Sequence, residues 1–177
     1  MMNSEILNEY VIIPGYPNDI KVRDLIKEPI THYIKGNKSK EFLINLEKKL
    51  SENNLVFGMN DFDLELYKLN IYSIFLTIKL EDFLGKRIFG LLKKRGIYTI
   101  SQLVLIDEKK FMESKTTGLG FAKTLSSKDL TYIKDKLSSI NLKLNMSKEE
   151  ILEIVKIELI KRFTETIKKE NYKLKNK

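Results

Sequence analysis

The residues best suited to chemistry in this sequence are basic, and they concentrate between positions 84 and 146. That segment carries thirteen Lys and Arg residues against five acids, a net charge of +8, which equals the formal charge of the whole 177-residue chain. A basic segment of this kind attracts polyanions, so the charge favours a nucleic acid as partner. The alternative is a lysine-rich solvated surface. The candidate phosphate contacts are Lys86, Arg87, Lys93, Lys94, Arg95, Lys123 and Lys128.

A glycine pair in the same segment adds a second way of binding phosphate. Gly118 and Gly120 flank Leu119, and the backbone amides of such a hairpin can cradle a phosphate group. A plain turn is the alternative. The helix that follows is expected to begin at Ser126 or Ser127, with Ser126 as a candidate contact.

Residues for catalysis are few. The chain has no cysteine and one histidine, His32, which lies in no recognisable motif and is expected at the surface or half packed. Asp61, Asp63 and Glu65 would share one face of a strand and could in principle hold Mg²⁺, but solvent-facing acids on a half-buried strand explain them without a metal. No Ser/His/Asp grouping, Walker-type nucleotide-binding loop or paired-carboxylate spacing stands out. We therefore predict a non-catalytic protein that needs no cofactor.

The elements that must position the basic residues are mainly helical. Residues 1–60 include a helix with Leu43, Leu46 and Leu50 on one face, and residues 84–146 contain several short helices. Between them, residues 61–83 alternate apolar and polar side chains, which favours an extended linker or β-hairpin over a helix. Residues 147–177 predict a long amphipathic helix that starts at a capping box and ends in a basic tail, either as a further layer or as a dimer seam.

The N-terminal sequence lacks the pattern of a signal peptide, and the longest apolar run, residues 71–80, is interrupted by polar residues. Together with the missing cysteines, this predicts a cytoplasmic protein that does not associate with a membrane.

The chain also contains an internal repeat. An offset of 87 residues places the segment from Leu50 to Leu55 on the segment from Leu137 to Leu142, and Met59 on Met146. The matched positions include a helix stripe, its start and its end, which indicates two related modules rather than one.

The second module resembles the C-terminal domain of the bacterial RNA polymerase alpha subunit, over about residues 74–146. The resemblance consists of a first helix that ends at a glycine, a second short helix and the final helix. The residues that carry it are Leu84, Arg87, Leu91, Leu92, Gly96, Ile97, Thr99, Ile100, Leu103 and the run from Leu130 to Leu137. The first module is similar to the later two thirds of the same domain, from Val22 to Met59.

This resemblance implies a helix-hairpin-helix fold that binds the phosphates and minor groove of duplex DNA. Arg87 falls on the arginine of the family that reads the groove, and Lys128 on a lysine that faces phosphate. Gly90 and Asp129 depart from the pattern, because the family has an asparagine and a serine there. The hairpin is longer by about eight residues, and either Thr116 to Gly118 or Gly118 to Gly120 could form its turn.

We therefore predict a mainly α protein with two small helix-hairpin-helix modules, joined by an extended or β segment and followed by a C-terminal helix. The predicted function is binding of double-stranded DNA through the second module, in association with transcription. The alternative is a module that docks on RNA polymerase or a sigma factor without binding DNA.

Overall fold

The fold was derived from a computed structural model that describes residues 5–113 and 125–175. A two-residue antiparallel strand pair, β1 (Tyr10–Val11) and β2 (Ile20–Lys21), is the only sheet in the described residues. The rest of the regular structure is helical, as predicted. The α-helices are α1 (Val22–Leu25), α2 (Asn37–Glu52), α3 (Asp61–Leu69), α4 (Ile74–Thr77), α5 (Leu80–Leu84), α6 (Lys86–Lys93), α7 (Ile100–Val104), α8 (Glu108–Glu113), α9 (Ser127–Ser138) and α10 (Lys148–Lys175). Short 3₁₀ turns lie at Ile6–Asn8 and Ile30–Tyr33.

The predicted extended or β segment over residues 61–83 is wrong, because this stretch forms α3, α4 and the start of α5. Helix α3 begins at a capping box in which the side chains of Asn60 and Asp63 each accept a hydrogen bond from the backbone amide of the other residue. Its exposed residues, Asp61, Glu65, Lys68 and Leu69, follow a helical period, and the rest of its surface is buried. Because the buried face is wide, it includes Phe62, Leu64 and Leu66, whose spacing of two imitates a strand.

The same backbone geometry ends α2 and α9. Asn54 and Asn141 both have φ of 58°, and each is followed by a leucine whose amide donates to a carbonyl five residues back. These bonds join Leu55 to Leu50 at 3.0 Å and Leu142 to Leu137 at 2.9 Å. A left-handed asparagine with this bond is a Schellman-type helix end.

The chain then returns to the preceding short helix in the same way at both positions. The amide of Met59 donates to the Ile26 carbonyl after α1 at 3.1 Å, and the amide of Met146 donates to the Val104 carbonyl of α7 at 2.8 Å. A capping box follows in each case, Asn60 with Asp63 and Ser147 with Glu150. We call residues 22–67 repeat unit 1 and residues 100–154 repeat unit 2.

A buried carboxylate joins the two units. Asp63 has no exposed surface, and its oxygens accept hydrogen bonds from Thr99 Oγ1 at 2.9 Å, from Gln102 Nε2 at 2.7 Å and from Ser101 Oγ. The Asn60 amide donates to it at 2.8 Å. Burial raises the pKa of Asp63, and these hydrogen bonds counteract the rise. The first turn of α3 is thus bound to the first turn of α7.

The junction also brings two backbones close together. Gln102 Nε2 donates to the Gly58 carbonyl at 2.8 Å, and Gln102 Oε1 accepts from the Tyr98 amide at 2.7 Å. Gly58 has φ of 89°, and a Cβ atom added there would lie 2.3 Å from the Tyr98 ring. Only glycine satisfies both the left-handed backbone and this approach. The buried residues of both units belong to one hydrophobic cluster.

Replacing Asp63 with asparagine tests this junction. Asparagine offers one acceptor oxygen where Asp63 offers two, so buried donors lose their partner, and we expect a loss of about 1–3 kcal/mol in the free energy of unfolding measured with urea. Because the pKa of Asp63 is raised in the folded state, its protonation stabilises the fold at low pH. The advantage of the wild type over Asp63→Asn should therefore grow as the pH falls from neutral toward about 4.

Asp61→Asn is the matched control. Asp61 lies on the same helix turn but is exposed and pairs with Lys27 at the surface. A surface pair contributes little, so stability should hardly change. Equal effects of the two substitutions would contradict the role given to Asp63.

Candidate nucleic-acid interface

Two helix starts meet where the sequence places its strongest phosphate-binding candidates. Gly85, with φ of 81°, separates α5 from α6, so that Lys86 and Arg87 occupy the first turn of α6. Ser126 caps α9 and is followed by Ser127 and Lys128 in its first turn. An ion pair between Arg87 and Asp129 joins the two turns. The residues that the resemblance singles out are therefore brought together on one face.

The Arg87–Asp129 pair is the central contact of this face. Arg87 Nη1 donates to Asp129 Oδ2 at 3.4 Å, and Nη2 donates to Oδ1. The Arg87 side chain is 59% exposed, whereas that of Asp129 is 9% exposed. The guanidinium thus covers a largely buried carboxylate while its own outer surface faces solvent.

Asp129 also completes the cap of α9. Its Oδ2 accepts from the Ser126 amide at 2.9 Å, and its own amide donates to Ser126 Oγ at 3.2 Å. The start of a helix attracts anions, and here an internal carboxylate already occupies part of that position. A phosphate approaching α9 must therefore compete with Asp129.

Arg87 and Asp129 remain an ion pair over the physiological pH range. Hydrogen bonding from Arg87, followed by that from the Ser126 backbone, lowers the pKa of Asp129 to about 2. Because the folded-state pKa of Asp129 is lowered, the ion pair stabilises the fold above the ordinary pKa of Asp, which is about 4. This stabilisation is lost as the pH falls from about 4 through about 2. Arg87 is thus paired at neutral pH.

Four lysines and a serine complete the predicted set within the described residues. Lys86, Lys93, Lys94 and Lys128 are exposed and form no ion pair there. Ser126 is exposed as a residue while its hydroxyl serves the α9 cap. These four ammonium groups are open to phosphate. Gly118, Gly120 and Lys123 lie outside the described residues.

Arg95 has an internal role. Its Nη1 donates to the Phe111 carbonyl at 2.5 Å, its guanidinium lies 5.3 Å from the centre of the Phe111 ring, and burial lowers its pKa. These contacts bind the end of α6 to α8. The structure therefore gives Arg95 a positioning function that its place beside two surface lysines did not indicate.

Lys93 and Lys94 also border a cavity of about 470 Å³ that the sequence did not reveal. Its walls come from α2, α4, α6 and the segment before α7, and they include the buried Met59 and Phe75.

The two aspartates of the predicted metal site, Asp61 and Asp63, lie on different faces of α3. Asp63 is committed to the junction with α7, and Asp61 pairs with Lys27 at the surface. Within the described ranges, no group of three or more His, Cys, Asp or Glu residues is arranged to hold a metal ion. His32 packs edge-on against Tyr33 at a centroid distance of 5.0 Å.

Comparison with protein-family models, curated proteins and solved structures finds no match to this chain. Among the described residues, no helix has both the length and the apolar character needed to cross a bilayer.

Substitution of Asp129 tests whether it restrains Arg87. Asp129→Asn keeps an acceptor for the α9 cap but removes the charge, so that Arg87 becomes available to a phosphate. One charge-assisted hydrogen bond is worth about 1.5–3 kcal/mol, so we expect affinity for a short duplex to rise by at least about tenfold in fluorescence anisotropy.

Asp135→Asn provides the control, because Asp135 lies exposed on the same helix and forms no ion pair within the described residues. It removes the same charge and should raise affinity by only about twofold. An equal gain from both variants would show that Arg87 is not held back by Asp129.

Proposed function

We propose that this protein is non-catalytic and binds the phosphate backbone of double-stranded DNA through the first turns of α6 and α9. The observation that carries the proposal is the meeting of these two turns at the Arg87–Asp129 pair, with Lys86 and Lys128 exposed beside it. It agrees with the resemblance to the RNA polymerase alpha C-terminal domain, from which we also propose a cytoplasmic, transcription-associated role.

Chemically, the lysines supply most of the affinity in this proposal. Each ammonium group that neutralises a phosphate releases a condensed counterion, which makes binding strongly dependent on salt. Lysine contacts to phosphate position a protein on DNA and carry little sequence information. We therefore expect modest preference among duplexes as long as Arg87 stays with Asp129.

Arg87 gives the interface its capacity for groove recognition. An arginine can enter a narrow A/T-rich minor groove, where the negative potential is strongest. In this protein it must first exchange the Asp129 carboxylate for the DNA. The cost of that exchange reduces the contribution of Arg87 relative to an arginine with no acid partner.

The same ion pair supports a second candidate, a docking module that has kept the fold without binding DNA. With Asp129 neutralising Arg87 and capping α9, this face could contact a protein such as RNA polymerase or a sigma factor. The four exposed lysines favour DNA over this alternative, because they form no ion pair within the described residues and a cluster of cations attracts a polyanion.

A salt titration distinguishes the two. We expect anisotropy of a labelled A/T-rich duplex to show binding that weakens steeply between about 50 and 200 mM salt. The variant Lys86→Ala/Lys128→Ala should lose affinity and reduce the slope of log K against log salt by about 2, one for each phosphate contact.

The double variant Lys40→Ala/Lys48→Ala is the matched control. Both lysines are exposed on α2 and removing them lowers the net charge equally. Its slope and affinity should stay close to the wild type. If both double variants weaken binding alike, the interaction is general charge attraction; if the wild type does not bind duplex at all, the docking alternative replaces this proposal.

A further inference from the structure

The second half of α10 presents an apolar stripe that no other part of the described structure covers. Ile160, Phe163 and Ile167 are 64%, 62% and 55% exposed, and Ile157 is 43% exposed. Every described side chain from 160 to 170 is exposed. Large apolar residues grouped on one helix face in this way indicate a contact surface.

This stripe faces away from the body of the protein. The first half of α10 packs through Ile151 and Val155, which are buried, and Glu158 Oε1 accepts from the Ile74 amide at 3.3 Å. Arg162 continues that side, with its guanidinium 3.7 Å from the centre of the Tyr72 ring. At 3.6 residues per turn, Ile160 and Ile167 lie about half a turn from this side. The stripe therefore cannot be covered by the protein's own core.

The spacing of the stripe is that of a coiled-coil seam. Ile157, Ile160, Thr164 and Ile167 alternate by three and four residues, and the sequence continues the pattern at Asn171 and Leu174. This places them at the a and d positions of successive heptads. Most of the stability of a helix in a protein comes from packing of its apolar face, so a second helix along the seam would stabilise this half of α10.

Charge decides which helix fits. Lys161 and Lys168 occupy the e positions beside the seam and form no ion pair among the described residues. In a parallel pair of identical chains, Lys161 would face Lys156 of the other copy, and in an antiparallel pair the e-position lysines would face each other. Like charges therefore disfavour a second copy.

We propose that the 157–167 face of α10 binds an amphipathic helix of a partner protein, with apolar seam residues flanked by Asp or Glu. Acids on the partner would pair with Lys161 and Lys168 while Ile160, Phe163 and Ile167 are buried. This proposal is independent of DNA binding by α6 and α9.

The test measures binding of synthetic helices to the full-length chain by fluorescence anisotropy. One labelled peptide of about three heptads has Leu at a and d and Glu at e and g; a second has the same seam with Lys in place of Glu. The acidic peptide should bind at least about tenfold more tightly than the basic one. Sedimentation of the protein alone should show a monomer.

Variants locate the site. Ile160→Asn/Ile167→Asn should weaken binding of the acidic peptide by about tenfold or more, because both seam positions lose apolar contact. Ile44→Asn, at an exposed isoleucine on α2, should leave binding unchanged. Circular dichroism verifies that each variant is folded.

Three results would overturn the proposal. Equal binding of both peptides would contradict the charge complementarity. Binding of the acidic peptide that survives the double substitution would show that the seam is not the binding site. A wild-type dimer that Ile160→Asn/Ile167→Asn dissociates would make a second copy the occupant.

Discussion

The carboxylate of Asp63 determines how this protein is built. It lies at the first turn of α3, is fully buried, and accepts hydrogen bonds from the Asn60 backbone and from three side chains at the start of α7. A buried charge is tolerated only when its hydrogen-bonding capacity is satisfied, and here every donor has a fixed place. The junction therefore holds the two repeat units in a defined arrangement.

The two units show how one repeated pattern serves two purposes. Each runs from a short helix through a left-handed asparagine to a methionine that bonds back to that helix, and then to a capped helix. In repeat unit 1, that capped helix is α3, which is nine residues long and contributes Asp63 to the junction. In repeat unit 2, it is α10, which is 28 residues long and extends beyond the unit with an exposed seam. The same kind of capped helix thus packs inside the protein in the case of α3 and extends into solvent in the case of α10.

Local patterns in the sequence predicted the elements that depend on local chemistry. The capping box at Ser147, the apolar face of α2 and the asparagine ends of the repeat all appear in the structure, because caps and stripes act within a few residues. The mainly helical class followed from them. The prediction for residues 61–83 is wrong because the wide buried face of α3 places apolar residues at Phe62, Leu64 and Leu66, which alternate as in a strand. Asn60, three residues before Asp63, is the capping signal that indicates a helix.

Contacts between distant residues explain what the sequence could not predict at the candidate site. Asp129 was recognised as an unusual acid, but its pairing with Arg87, 42 residues away, depends on the packing of α9 against α5. Arg95 looked like part of a basic cluster, yet it reaches the carbonyl of Phe111. The sequence shows the excess of basic residues between positions 84 and 146. Which of these side chains bind other residues of the protein depends on the tertiary structure.

The most direct test of the DNA-binding account is to map the contact in solution. Two-dimensional amide spectra of the isotope-labelled protein would be recorded while an A/T-rich duplex is added. The account predicts that the shifted amides cluster at the first turns of α6 and α9, around Lys86, Arg87 and Lys128, and that α2 and the exposed half of α10 remain unchanged. Shifts concentrated on α10 or α2, with none around Arg87, would contradict it.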